Sequence, residues 1–368
     1  MQKEKLNVLL VSPSPEFAGG ISRWTKHILS FYSNNRSDSF ELDYLNATPI
    51  NPEVKRTIFK RWRSGINNYL RVILSFKKKI KENNYDVVHL VTSASISLLK
   101  DIILLFLAKK RGLRTVIHFR FGRISELFLS QNWEWKLIER VVSMADVAMT
   151  IDIRSFNTLR EAGFKNIVNM PNPLSDELVK QIAEMDCVEK IPRSIVFVGQ
   201  MLSTKGIFEL VEVCASIENI KLYMYGSLTD GVKESLRKLA GKGSENWLFV
   251  CGEVPYHTIT RKMQEAEVFV LPTYTEGFPN VILESMACGC PIIASAVGAI
   301  PEMLNIESKE PCGICVTPKN KIELKEKIEY LLDNPEEARI LGERAKERVV
   351  AKYSISSVWK RLMKIWSK

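Results

Sequence analysis

The stretch "EVFVLPTYTEGFPNVILESMACGCPIIASAVG", residues 267–298, carries the fold in miniature. "EVFVLPT" is an apolar run without polar alternation, the pattern of a strand covered on both faces. A turn containing Gly277 and Pro279 breaks it. A helix follows, with Asn280 placed to cap it, and then a second apolar run, "PIIASAVG". Strand, turn, helix and strand in that order make a parallel βαβ unit.

The same alternation extends in both directions. "SIVFVGQ" (194–200), "KLYMYGS" (221–227) and "WLFVCGEV" (247–254) read as strands, each followed by a helix-like segment. An earlier series has "NVLLVSP" (7–13), "DVVHLVT" (86–92), "RTVIHFRF" (114–121), "DVAMTID" (146–152) and "NIVNMPNPL" (166–174). Two such series predict an α/β protein of two doubly wound Rossmann-like domains, joined near 175–193. A length of 368 residues suits two cores rather than one. We set the first domain at 1–180, the second at 181–350 and a C-terminal segment at 351–368.

Composition narrows the function classes. The chain is 46% hydrophobic and 26% charged, as globular proteins are. No secretory signal is read at the N-terminus, and "ISLLKDIILLFLAKK" is broken by Lys100 and Asp101 before it reaches the ~20 residues of a membrane span. The seven cysteines read as reduced structural thiols, and no metal site is expected. A cytoplasmic location follows. Residues 1–180 carry a net charge of +11 and residues 181–368 a net of −1. Ten Lys and Arg, with no acid, fall in residues 55–81, "KRTIFKRWRSGINNYLRVILSFKKKIK". That stretch reads as a basic amphipathic surface for anionic headgroups of the inner membrane face, or as a solvated helix whose apolar stripe packs on its own core. No nucleic-acid recognition motif accompanies the charge, so no nucleic-acid partner is expected.

Open parallel sheets bind ligands beyond the carboxyl ends of their strands. The residues there are Gly19 and Gly20 at a helix start, His118 at the end of "TVIHF", Gln200 and Lys205 after "VFVGQ", and the loop Thr273–Asn280. A glycine-flanked helix start suits an anion. Glu276 falls in the loop and Glu284 about one turn into the helix, eight positions apart. A carboxylate suits a pair of hydroxyls, so two at different depths match an elongated ligand with sugar, phosphates and ribose. His27 and His89, inside a helix and a strand, read as core histidines.

With these residues in place, the chain resembles the retaining glycosyltransferases of family 4, which have the GT-B fold. The likeness is strongest over 194–302. It rests on "EGFPNVILESMACGCPIIASAVGAIPE", similar to the family's Glu–seven residues–Glu signature, and on "FVGQMLSTKG", "MPNP" and Gly19-Gly20. The resemblance implies two domains facing across a cleft, with the C-terminal helix crossing back to the first. It implies a nucleotide-diphosphate sugar donor, UDP- or GDP-linked, a glycan or lipid-linked acceptor in surface polysaccharide (lipopolysaccharide or capsule) synthesis, and neither cofactor nor metal. Glu284 would hold the ribose, Glu276 the transferred sugar and Lys205 the departing diphosphate. Backbone groups of Gly277, Phe278, Pro279 and Asn280 would hold sugar or phosphate. Gly19 and Gly20 would admit the diphosphate, and His118 would touch the sugar. Gln200 stands where the family usually has Arg, and Arg120 or Arg123 is a candidate replacement for that charge. Two other readings remain: a GT-B nucleotide-sugar epimerase, and a catalytically silent nucleotide-sugar-binding subunit.

Overall fold

A computed structural model describes residues 5–17, 19–48, 58–185 and 188–367, through the backbone alone at 58–64 and 66. The chain divides into two compact units, residues 1–173 with 358–368, and residues 174–357.

The first unit runs β1 (Leu6–Ser12), α1 (Gly20–Asn34), β2 (Phe40–Asn46), α2 (Ile58–Glu82), β3 (Val87–Thr92), α3 (Ser97–Lys109), β4 (Arg114–Phe119), α4 (Ile124–Ser130), α5 (Trp133–Met144), β5 (Val147–Thr150), α6 (Ile153–Glu161) and β6 (Ile167–Asn169). Among the described residues its six strands lie parallel in the order β2-β1-β3-β4-β5-β6. Every residue of β3 is buried, which is why it reads as an unbroken apolar run.

The sequence reading passes over β2, and the structure shows why. "FELDYLN" alternates buried and exposed positions as an edge strand does. Its Asp43 accepts from the Lys79 ammonium and the Tyr85 hydroxyl. The pair α4 and α5 also went unread. Asn132 caps α5 through its Oδ1, which accepts from Glu134 N at 2.9 Å and Trp135 N at 3.1 Å.

One sheet face is covered by α2, α3 and α5, which pack Val72, Phe76, Leu98, Leu105, Trp135 and Ile138 into one core. A second cluster joins α1 and β3–β4 to the C-terminal helix, α15 (Ile355–Trp366), named here ahead of the second unit's helices. Trp366 Nε1 donates to His89 Nδ1 at 3.1 Å, and its ring stacks on Phe40 at 5.5 Å. His89 is fully buried, and burial with the nearby Arg120 charge pushes its pKa down to about 3, so it is neutral.

The second unit holds α7 (Asp176–Glu184), β7 (Ser194–Val198), α8 (Ile207–Cys214), β8 (Lys221–Tyr225), α9 (Asp230–Ala240), β9 (Leu248–Gly252), α10 (Tyr256–Glu265), β10 (Val268–Leu271), α11 (Asn280–Ala287), β11 (Ile292–Ser295), α12 (Ile300–Met303), β12 (Ile314–Val316), α13 (Lys321–Asp333) and α14 (Pro335–Arg348). Its parallel strand order is β12-β11-β10-β7-β8-β9. The stretch 175–193, set down as a link, contains α7, capped by Ser175. Leu174 N donates to Tyr353 O at 2.6 Å, and Ser356 Oγ donates to Asp176, so residues from 174 onward group with the second unit. Residues from Val358 group with the first.

Candidate functional site

In the second sheet, strand order reverses between β7 and β10. These two are hydrogen-bonded neighbours, yet the chain leaves them toward opposite edges, to β8 and to β11. Such a switch point opens a crevice at the carboxyl ends of its strands. Two loops occupy that place, 199–206 after β7 and 272–279 after β10.

Backbone packing stitches the two loops together. Gly206 has φ +69°, and a Cβ there would stand 2.0 Å from Pro272 O, so only glycine fits. Tyr274 N donates to Thr204 O at 2.8 Å. Thr273 Oγ1 lies 3.3 Å from Thr204 O and 3.2 Å from Thr275 O. On this frame the Lys205 ammonium donates to Glu276 Oε1 in an ion pair. Their side chains are 23% and 14% exposed. The pair is therefore largely shielded yet open enough to meet a ligand.

A third loop braces the second. Ala299 N donates to Gly277 O at 2.9 Å. Gly298 has φ +55°, and a Cβ there would stand 2.1 Å from Glu276 O and 2.7 Å from Gly277 O. Tyr274 is fixed on both sides. Its hydroxyl donates to Glu209, and the Lys319 ammonium lies 4.7 Å from its ring centre. Burial and the Glu209 hydrogen bond push its pKa up to about 12, so it stays a neutral donor.

The helix α11 starts one residue earlier than a cap at Asn280 requires. Pro279 is the N-cap, Asn280 is the first helical residue, and no side chain caps the turn. Phe278 is buried, with its ring 5.8 Å from that of Tyr353, so it anchors the loop and leaves main-chain groups for contact. Glu284 lies in α11 and is 6% exposed. Gln200 is exposed beyond β7. Lys205, Glu276 and residues 277–280 are thus brought together, with Glu284 more than a turn along the helix.

In the first unit Gly19 is the N-cap of α1 at φ +133°, with no side-chain cap. An added Cβ on Gly19 or Gly20 would meet nothing within 4 Å. His118 is not at the mouth of β4. It is the penultimate strand residue and is 0% exposed. Arg120 Nη1 lies 3.4 Å from its Nε2, and the Trp24 ring packs nearly perpendicular to it with ring centres 5.1 Å apart. Burial and the Arg120 charge drive its pKa well below the usual histidine range. The residue at the strand mouth is Arg120, whose guanidinium lies 5.1 Å from the Trp24 ring centre. Burial lowers its pKa to about 9, so it remains charged at neutral pH. Arg120 has no carboxylate within ion-pair distance among the described residues, whereas Arg123 pairs with Glu134 at 3.6 Å.

Among the described residues no group of three or more His, Cys, Asp or Glu could hold a metal ion. No described helix is long and apolar enough to cross a membrane.

Two doubly wound parallel domains with a loop-built site at a switch point define the GT-B class of fold. Sucrose-phosphate synthase from Thermosynechococcus elongatus superposes with a TM-score of 0.74 at 19% identity, over 99% of this chain and 98% of its own. Anabaena HepE, solved in complex with UDP, gives a TM-score of 0.71 at 13% identity, over 98% and 100%. At the sequence level, residues 188–348 match the family model "Glycosyl transferases group 1". A putative teichuronic acid biosynthesis glycosyltransferase, TuaC of Bacillus subtilis (strain 168), is 25% identical over 236 residues, covering 61% of this chain and 51% of the relative. The chain spans about half the length of the first curated relatives it matches.

Proposed function

We propose that the chain is a retaining glycosyltransferase of the family 4 type. It would move a sugar from a UDP- or GDP-linked donor to a hydroxyl of a glycan or lipid-linked glycan acceptor in surface-polysaccharide synthesis, without a metal ion. The observation that carries this reading is the Lys205–Glu276 pair held on two stitched loops of the stretch that matches the group 1 model. The relative named for teichuronic acid biosynthesis and the structural neighbour solved with UDP support it.

A diphosphate entering the crevice competes with Glu276 for the Lys205 ammonium through charge-assisted hydrogen bonds. The Glu276 carboxylate is then released to accept from hydroxyls of the donor sugar. Glu284 holds the ribose, and Gln200 adds a neutral donor. As the bond from the sugar's anomeric carbon to the diphosphate breaks, negative charge grows on the leaving oxygen. Lys205 and the main-chain N–H groups at the start of α11 stabilise it. The acceptor hydroxyl adds on the same face of the sugar, and its proton passes to the departing diphosphate.

A thermal-shift panel of nucleotide diphosphates and their sugars tests the donor. At a hundredfold excess over Kd the matching nucleotide should raise Tm by ~5 °C, and excess chelator should leave the shift intact. A flat panel would reject the donor class. A shift abolished by chelator would reject metal independence.

A second test separates the two arginines. Arg120→Ala should lower kcat at least about tenfold, because its charge has no carboxylate to satisfy it. Arg123→Ala should change kcat little, because that side chain is occupied by Glu134. Equal effects would remove Arg120 from the mechanism.

A further inference from the structure

Among the described residues, two adjacent helices of the first unit each present a row of exposed apolar and basic side chains. In α2, Val72, Phe76 and Ile80 point into the core. The exposed positions follow at helical spacing on the other side, Leu70, Leu74, Lys77, Lys78 and Lys81. In α3, packed alongside, Leu98, Leu105 and Ala108 are buried. Its exposed row is Leu99, Ile103, Phe106 and Lys110, three or four residues apart and so on one face, with Ile96 just before it. Leu74 is 64% exposed and Phe106 is 59%.

Both helices return from the carboxyl to the amino ends of the strands, so their C-termini lie at the same edge of the sheet. Arg111 Nη1 donates to Ile80 O at 2.8 Å and ties those ends together. The lysines therefore gather at one end of the apolar rows. No carboxylate occupies any of the outward positions named. The nearby acids are already engaged: Glu82 lies 4.0 Å from Lys78, Asp146 lies 2.8 Å from Lys109, and Asp43 accepts from Lys79.

We propose that this α2–α3 face docks on an anionic lipid surface, with Leu70, Leu74, Leu99, Ile103 and Phe106 at headgroup–acyl depth and the clustered lysines on the headgroups. Charge complementarity selects a bilayer over a protein partner. The face carries a basic excess, with Lys77, Lys78, Lys81 and Lys110 against Glu82, within a half of the chain whose net charge is +11. An apolar row flanked by lysines matches helices that lie in the interface plane. The contact is peripheral, since no described helix can span a membrane. The proposal goes beyond the donor reading and does not depend on it.

The test is co-sedimentation of the full chain with phosphatidylglycerol–phosphatidylcholine vesicles against pure phosphatidylcholine. The chain should bind the anionic vesicles and release as salt rises. The charge-reversed variant Lys77→Glu/Lys78→Glu/Lys81→Glu and the apolar variant Leu99→Ser/Phe106→Ser should each weaken binding at least about tenfold. All the substituted side chains are exposed, so Tm and nucleotide binding should hold. Equal binding to both vesicle types, or unaltered binding by both variants, would overturn the proposal. So would sedimentation-velocity evidence that the parent self-associates and that the apolar variant alone does not, which would assign the face to a second copy of the chain.

Discussion

Glu276→Gln is expected to lower transferase turnover by about a hundredfold or more, with nucleotide-diphosphate affinity changing only slightly. The substitution keeps the shape of a side chain that is 14% exposed and removes its charge. In the free protein Glu276 neutralises Lys205. In the proposed donor complex the diphosphate takes over that task, so loss of the carboxylate falls on the sugar and on the transition state. Lys205→Ala should behave differently. It removes a contact made to the diphosphate before transfer and strengthened as charge grows on the leaving oxygen, so affinity and turnover should fall together. It also leaves Glu276 facing a polyanion. A double-mutant cycle should show strong coupling between the two positions. Kinetics with saturating donor, beside calorimetric titration of the nucleotide, separate these outcomes. Near-normal turnover in Glu276→Gln would sink the role given to the pair.

Gly298→Ala is expected to lower turnover by a comparable factor, although residue 298 would touch no substrate. The backbone there is left-handed, which costs a residue with a Cβ about 1–2 kcal/mol. The new methyl would also begin 2.1 Å from Glu276 O, so the loop carrying the carboxylate must retreat. A shift of ~1 Å at a reacting group is worth about a hundredfold in rate. The Ala299–Gly277 hydrogen bond would be strained by the same movement. Gly241→Ala is the control. Gly241 also has positive φ, at +78°, but a Cβ there meets nothing within 4 Å. It should lower Tm and leave kcat alone. If the two variants share one kcat, the brace has no bearing on catalysis.

Much of this architecture was legible because parallel strands buried on both faces leave unbroken apolar runs. β1, β3, β7 and β10 read that way. β2 did not, because an edge strand alternates and its Asp43 serves the residues beside it. The loops after β7 and β10 could be placed from strand ends alone. That Lys205 meets Glu276 could not, because the two are separated by 71 positions and joined only through a strand order that puts β10 beside β7. The brace from Gly298 was hidden for the same reason, although its glycine sits where a strand turns into a helix. His118 shows the limit of locating a strand end by composition. A shift of two residues puts Arg120 at the strand mouth and the histidine inside the buried strand. The charge of residues 55–81 was visible, and its first part, 55–57, lies outside the described residues. The outward row on α3 was not visible, because a segment that is apolar on nearly every side does not announce which side faces water.

The first unit is discontinuous along the chain, and this bears on the order in which the protein can mature on the ribosome. Trp366 reaches His89 across 277 positions. When residue 173 emerges, His89 and Phe40 still lack the indole that fills the space beside them. The intervening unit, 174–357, is synthesised in full before that indole appears. During translation the later-made unit can therefore complete its core first, while the earlier-made one waits with an open aromatic socket.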